Sequence, residues 1–238
     1  MEGILLNEFS YPVLTVITFL PLVGAVIILL LKNAAQIKWL ALATTIATFI
    51  ASLPVYKYFD KTTHLMQFVE THSWIPAWNI NYQVGIDGIS VLFLFLAAIL
   101  SILCVTVSWN AIQIKTKEFY ISLLIMETAM MGIFVSLNVF LFYLFWELTL
   151  IPMFLLIGIW GGPKRVYAAV KFIIFMLAGS VFMLVGIIVL YHAGGRTFDI
   201  IELSKISYPI GLQFWLFLAF FAAFAVKMPM FPIHTWLP

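Results

Sequence analysis

The strongest constraint on the fold is a series of seven apolar runs, each close to the length of a membrane-crossing helix. The hydrocarbon core of a bilayer corresponds to roughly 20 helical residues. The runs cover about residues 11–31, 39–56, 89–109, 119–137, 139–159, 167–191 and 212–228. They predict an all-α fold: a polytopic membrane helix bundle of about seven transmembrane helices, the last of them broken.

Composition supports a membrane protein and excludes several other classes. The chain is 64% hydrophobic and 9% charged, with a mean hydropathy of +1.13, well outside the range of soluble domains. Its net charge of +2 is too small to suggest a nucleic-acid partner. A single cysteine, Cys104, allows neither an internal disulfide nor a thiolate metal cluster. The N-terminal segment carries Glu2 and Glu8 but no Lys or Arg, whereas a cleaved signal peptide begins with basic residues. We therefore expect the first run to be a retained membrane anchor.

The distribution of basic residues predicts the orientation in the membrane. Short connections after the first, third and fifth runs concentrate them, as Lys32, Lys38, Lys115, Lys117, Lys164 and Arg165. Such loops face the cytoplasm. The N-terminus is therefore predicted to lie outside, and odd-numbered spans run inward.

Two connections are longer than the others. Residues 58–85 carry His64, His72, Trp74 and Trp78, which indicates an external loop whose tryptophans rest at the membrane interface. The two histidines have no cysteine or paired carboxylate at ligand spacing, so we interpret them as solvated side chains and predict no metal site. Residues 193–211 mix apolar and charged positions, which favours a short amphipathic helix on the surface.

Glu147 lies inside the fifth apolar run. A carboxylate at bilayer depth costs at least about 2.5 kcal/mol, and acids in that position generally mark ion pathways. Tyr143 lies four residues earlier and so shares its helix face. The structural alternative is a protonated Glu147 that hydrogen-bonds a neighbouring helix.

Lys227 is the best partner for this acid. It lies about 15 residues into the last run, and Pro229 and Pro232 break the helix just beyond it. The prolines free the carbonyls of Ala225 and Met228, which we expect to need water or a cation. Snorkelling of a lysine at a helix end is the alternative. Small residues on the preceding turns predict close approach of a neighbouring helix: Ala219, Ala222 and Ala223.

Three more ionisable residues complete the candidate set. His234, just past the break, has the side chain best suited to take up a proton near neutral pH. Glu127 lies within the fourth run, where a proton relay with Glu147 and a purely structural hydrogen bond between helices are equally good interpretations. Lys171 lies about five residues into the sixth run, and snorkelling to the surface is slightly favoured for it over conduction.

Two stretches resemble a known family. Residues 145–153, Phe-Trp-Glu-Leu-Thr-Leu-Ile-Pro-Met, and residues 224–229 with 232–238, Phe-Ala-Val-Lys-Met-Pro and Pro-Ile-His-Thr-Trp-Leu-Pro, are similar to the M-type, antiporter-like membrane subunits of bacterial NADH:quinone oxidoreductase, respiratory complex I. The resemblance implies Glu147 as the charge of the fifth helix, Lys227 as the proton-carrying lysine and His234 on the path beyond it. Glu127, Lys171 and Tyr143 are candidates for a polar axis.

The resemblance also implies partners and a location. The chain has no Gly-rich phosphate loop, haem ligand pair or iron–sulfur spacing. We therefore expect no cofactor in this chain, and NADH, FMN, iron–sulfur clusters and quinone in other subunits. Its neighbours would be other membrane subunits of complex I and the lipid bilayer, with no nucleic acid. The location would be the bacterial inner (cytoplasmic) membrane, with a periplasmic N-terminus.

Members of this family are about twice as long and contain two inverted repeats. The sequence is therefore interpreted as a fragment with a partial antiporter-like fold. Residues 1–118 would hold three helices and the external loop, and residues 119–238 an incomplete first proton-translocating repeat. We expect a translocating subunit of an enzyme, without redox chemistry of its own. Open alternatives are a cation/proton antiporter subunit, the pumping module of a membrane hydrogenase, and a non-pumping assembly fragment.

Overall fold

The computed structural model describes residues 4–6 and 9–237. Its elements, in chain order, are β1 (Ile4–Leu6), α1 (Val13–Leu30), α2 (Ala34–Lys57), β2 (Met66–Ile75), β3 (Ile80–Ile86), α3 (Ser90–Ala111), α4 (Thr116–Val135), α5 (Val139–Leu148), α6 (Leu150–Trp160), α7 (Arg165–Ala193), α8 (Ile200–Ser204) and α9 (Ile210–Lys227). Seven membrane-length spans are present among the described residues, with α5 and α6 together forming the fifth. The predicted all-α membrane bundle is confirmed.

The fifth span is interrupted, which the apolar run alone did not indicate. Helix α5 ends at Leu148 and α6 begins at Leu150, with Thr149 between them. Pro152 accounts for the break, because it has no N–H to pair with the Leu148 carbonyl and its ring crowds that carbonyl. Pro152 lies in the first turn of α6, where backbone N–H groups have no partner within the helix. The missing N–H therefore reduces the stability of α6 very little.

The segment predicted as an external loop contributes two strands to a small three-stranded sheet. Strands β1, β2 and β3 form it in that order, and β1 runs parallel to β2. Apolar residues alternate with polar residues or glycine in Ile80–Ile86, which is the period of a strand, and the structure buries Ile80 and residues 83–86. Trp74 lies in β2 and Trp78 in the short turn that follows it, Pro76–Trp78. Their side chains are 51% and 63% exposed.

The chain divides into two compact units, of which the first holds Met1–His72 and Tyr82–Leu137. In this unit α4 packs against α1 and α3, and α2 lies against α1 and α3. A Cβ atom on Gly24 would lie 2.5 Å from the Thr44 side chain, so α1 and α2 approach closely only because that residue is glycine. The predicted division before residue 119 differs from this one, because α4 packs with the N-terminal helices.

The second unit holds Ser73–Asn81 and Asn138–Pro238. Its most extensive packing is between α7 and α9. A Cβ atom on Gly186 would lie 3.3 Å from the Ala219 Cβ, and one on Gly179 would lie 3.5 Å from the Ala223 Cα. The small-residue stripe of α9 thus meets glycines of α7, which confirms the predicted close approach. The predicted surface helix is α8, a single short turn that the Asp199 side chain caps.

Candidate functional site

The interruption between α5 and α6 receives the side chain of Lys227. Its Nζ atom donates to the Thr149 hydroxyl at 2.7 Å and to the Trp146 carbonyl at 3.4 Å. It also lies 4.0 Å from the centroid of the Trp146 ring, within the range of a cation–π interaction. We call the Trp146 carbonyl and ring together with the Thr149 hydroxyl the ammonium site.

Packing of α9 against its neighbours brings the lysine to this turn. Val226, the residue before Lys227, lies in a buried cluster with Leu150 of α6 and Phe172 of α7. One turn earlier on the same helix, the Phe224 ring makes an edge contact with the Trp146 ring, with centroids 5.4 Å apart. Two residues of the turn that precedes the lysine are therefore anchored, which directs its stem towards the interrupted turn.

Glu147 lies on the same turn but has other close neighbours. The Tyr143 hydroxyl lies near both the Glu147 carboxylate and the buried Ser180 hydroxyl of α7. The Glu147 Oε1 atom is buried and meets no hydrogen-bond donor among the described residues. The carboxylate is close enough to act electrostatically on Lys227, whereas the hydrogen bonds of the lysine go to Thr149 and Trp146. Glu147 is thus a neighbour of Lys227 on this turn, and the hydrogen-bond partners of the ammonium are Trp146 and Thr149.

The chain beyond Lys227 satisfies its own backbone. Helix α9 ends at Lys227 and the following residues form turns. The N–H of Met230 donates to the Ala225 carbonyl at 2.9 Å, and the indole N–H of Trp236 donates to the Val226 carbonyl at 2.9 Å. The expectation that the Ala225 carbonyl would need water or a cation is wrong, because the turn beyond Pro229 supplies a backbone donor. Among the described residues, the hydrogen bonds of the Lys227 ammonium go to Trp146 and Thr149 and not to a carbonyl of α9.

Lys171 reaches the terminal segment next to His234. The Lys171 ammonium donates to the carbonyl of Thr235, the residue after His234, and lies 6.0 Å from the centroid of the Phe175 ring. The His234 Nδ1 atom is buried without a hydrogen-bond partner in the described part of the chain. A cation and an imidazole are therefore placed at neighbouring residues of one turn.

Glu127 belongs to the first unit and is only 2% exposed. Neither of its carboxyl oxygens has a hydrogen-bond partner among residues 4–6 and 9–237. The structure therefore gives no support to the interpretation of Glu127 as a hydrogen bond between helices. Three other buried hydroxyls of this unit also lack a partner there: Thr18, Tyr120 and Thr128.

The external segment shows no metal-binding arrangement. His64 is exposed, and the His72 ring stacks on Tyr82 with centroids 6.4 Å apart. The described ranges contain no group of three or more His, Cys, Asp or Glu side chains suited to a metal ion.

Sequence reasoning missed three residues of the site: Thr149, Trp146 and Ser180. A signal for the first two was present, because a proline three residues after Thr149 disfavours a continuous helix at that point. No comparable signal marks Ser180, whose contact depends on how α7 packs against α5.

Comparison with known proteins gives a consistent result. Residues 136–238 match the family described as NADH:quinone oxidoreductase/Mrp antiporter, transmembrane. The chain is 44% identical to NADH-quinone oxidoreductase subunit M of Rhodobacter capsulatus, over 94% of this chain and 47% of that protein. It is 41% identical to NADH-ubiquinone oxidoreductase chain 4 of Arabidopsis thaliana, over 92% of this chain and 44% of that protein. The chain thus spans about half the length of the curated relatives it matches.

Solved structures show the same fold. A chain of respiratory complex I from Thermus thermophilus superposes with a TM-score of 0.83 at 28% identity, covering 94% of this chain and 46% of that one. A chain of the membrane-bound sulfane sulfur reductase, an archaeal respiratory membrane complex, superposes with a TM-score of 0.78 at 20% identity, which shows the fold alone.

Proposed function

Because this chain carries an NADH:quinone oxidoreductase/Mrp antiporter transmembrane domain and is similar to subunit M along half of that protein, we propose that it translocates protons as a membrane subunit of a NADH:quinone oxidoreductase. Glu147 and Lys227 are the central charges of the path. The observation that carries this assignment is the insertion of the Lys227 ammonium into the interrupted turn that bears Glu147. Discontinuous helices are where membrane transporters place their ion sites.

Charge coupling is the mechanism that this arrangement supports. Two unit charges about 8 Å apart attract by about 2 kcal/mol at an effective dielectric constant near 20. Moving either charge would then load or release a proton on the lysine. A membrane potential opposes the transfer of each proton by about 2.3 kcal/mol per 100 mV. The attraction within one Glu–Lys pair barely matches that energy. Several coupled charges, driven by redox chemistry in other subunits, are needed.

The remaining polar residues would extend the path. Tyr143 lies near Glu147 and Ser180, and Lys171 reaches the turn that contains His234. Glu127 is a buried acid without a protein partner among the described residues, which suits a hydrated proton site. We assign all of them to the polar axis.

The setting of the subunit follows from the same proposal. NADH, FMN, iron–sulfur clusters and quinone would bind in partner subunits, and other membrane subunits of complex I would be the neighbours of this chain in the bilayer. The membrane would be the bacterial inner membrane, with the N-terminus on the periplasmic side.

The test is replacement of each central charge in the assembled enzyme. We expect Glu147→Gln and Lys227→Met to lower NADH-driven proton uptake into inverted membrane vesicles by about tenfold or more, because about 2 kcal/mol of attraction is lost. Dye quenching measures the proton gradient, and NADH–quinone electron transfer is followed in parallel. Matched controls are the exposed residues of the same types, Glu118→Gln and Lys164→Met. Unchanged proton uptake at unchanged electron transfer in either central variant would refute the assignment.

Cation/proton antiport is a second candidate, because the matching family also includes the Mrp antiporters. The same Glu147 and Lys227 would serve it. A proton gradient that forms on addition of NADH without sodium supports the oxidoreductase subunit. Sodium-dependent proton exchange that needs no electron donor supports the antiporter.

A further inference from the structure

The ammonium site is built entirely of electron-rich groups. The Trp146 carbonyl can only accept hydrogen bonds, and the face of its indole ring attracts cations. The Thr149 hydroxyl could donate or accept, but its hydrogen already points to the Trp146 carbonyl, with an oxygen–oxygen distance of 2.7 Å. Thr149 therefore presents its lone pairs to Lys227. All three groups favour a positively charged partner.

A neutral amine would be held much less strongly in the same place. A hydrogen bond from an ammonium is about twice as strong as one from a neutral donor. The attraction to the Trp146 ring at 4.0 Å disappears with the charge. The 3.4 Å contact to the Trp146 carbonyl is long even for a charged donor, so little would remain of it.

We propose that Thr149 and Trp146 are positioning residues that retain Lys227 in its protonated form on the turn of Glu147 and release its side chain when the proton leaves. This inference rests on the proposed function of Glu147 and Lys227. In the transfer step an N–H bond of the ammonium breaks and the proton passes to a water molecule. The nitrogen keeps the electron pair, and the neutral amine leaves the ammonium site. The site thus links the protonation of the lysine to its position.

Thr149 is suited to this role because of the break in the helix. Pro152 cannot donate a hydrogen bond to the Leu148 carbonyl, and Thr149, whose backbone keeps helical angles (φ −67°, ψ −23°), is the junction residue between α5 and α6. Thr149 is 3% exposed, and burial strengthens its interaction with a cation. The site is therefore formed by the same local sequence that contains Glu147.

The decisive experiment compares hydroxyl-retaining and hydroxyl-removing variants of the assembled enzyme. Thr149→Val preserves the shape of the side chain but removes the acceptor. We expect NADH-driven proton uptake to decline with rising pH, with a midpoint about one pH unit below that of the parent enzyme. This shift corresponds to an about tenfold weaker affinity of Lys227 for its proton. Thr149→Ser retains the hydroxyl and should keep the parental pH profile. The matched control is Thr45→Val, because Thr45 is also buried and also bonds the carbonyl three residues back, but no lysine of the described chain donates to it.

A second variant keeps the test decisive if Thr149→Val does not assemble. Trp146→Phe retains the backbone carbonyl but offers a weaker π face, so a smaller shift in the same direction is expected. The inference is overturned if Thr149→Val keeps the pH profile of the parent enzyme. If Thr149→Val does not assemble, the same result for Trp146→Phe overturns it. Full proton uptake by Lys227→Met instead overturns the proposed function, and the two failures are thereby distinguished.

Discussion

At the residue scale, the buried carboxylate of Glu70 ties the sheet of the external segment to the first helix. Glu70 of β2 accepts hydrogen bonds from the Leu14 and Thr15 backbone N–H groups at 2.8 and 3.1 Å, and from the Thr15 hydroxyl at 2.5 Å. A carboxylate at this end of α1 satisfies free N–H groups and complements the helix dipole. The Tyr82 hydroxyl lies 2.9 Å from the Thr15 hydroxyl and extends the network.

Tyr82 gives this network a predicted pH dependence. Burial raises the pKa of Tyr82 to about 12 from an ordinary 10.0, the Thr15 hydrogen bond opposes the shift, and the negative charge of Glu70 adds to it. Because the folded state favours the neutral phenol, this stabilisation is complete below pH 10 and is lost as the pH rises through about 12. The shift corresponds to about 2–3 kcal/mol.

Ultraviolet titration at high pH measures the ionisation. We expect the Tyr82→Phe variant to lose one tyrosinate signal with a midpoint near pH 12 relative to the parent chain. Tyr11→Phe is the control, since Tyr11 is 42% exposed. Loss of a signal near pH 10 from the Tyr82 variant would contradict the expected burial.

At the element scale, the position of Lys227 depends on the approach of α9 to α7. A Cβ atom on Gly179 would lie 3.1 Å from the Val226 Cβ, which is tighter than ordinary van der Waals contact. Val226 directly precedes the lysine, so displacement of α9 at this point would move the ammonium away from Thr149. Gly179 of α7 therefore affects the position of the Lys227 ammonium on α9 through packing alone.

The prediction for this contact concerns both stability and activity. Gly179→Val should lower the free energy of unfolding by about 1–3 kcal/mol through overpacking and should reduce proton uptake. Gly211→Val on α9 is the control, because a Cβ atom there meets no other atom within 4 Å. Thermal unfolding in detergent measures the first effect. Equal unfolding midpoints for the two variants would show that α7 and α9 are not tightly packed at Gly179.

At the scale of the whole molecule, the basic residues that predict orientation also bind helix ends in the first unit. The Lys38 ammonium donates to the Trp109 carbonyl at 2.6 Å, and the Lys117 ammonium donates to the Leu29 carbonyl. Both carbonyls lie in last turns of helices, where free carbonyls and the helix dipole attract cations. The same side chains thus serve the proposed orientation and the stability of α1 and α3.

Orientation can be tested with a pair of glycines that have open space around them. A Cβ atom on Gly88 or on Gly162 would meet no other atom within 4 Å, so cysteine is tolerated at both positions. With Cys104→Ser as background, a membrane-impermeant maleimide added to spheroplasts should label Gly88→Cys only. Permeabilised cells should show labelling of both. Labelling of Gly162→Cys in intact spheroplasts would reverse the proposed orientation.

The sequence by itself determined the seven spans and the end of the last helix at Lys227. Those properties are local, because hydrophobic length decides which segments cross a bilayer and proline ends a helix within one turn. The tertiary structure decided the partners of the charges. Whether the Lys227 ammonium meets Glu147, Thr149 or an α9 carbonyl depends on the packing of α9 against α6 and α7, which no single segment encodes. The pairing of β1 with β2 belongs to the same class, since it joins Ile4 to Met66, which lie far apart in the chain.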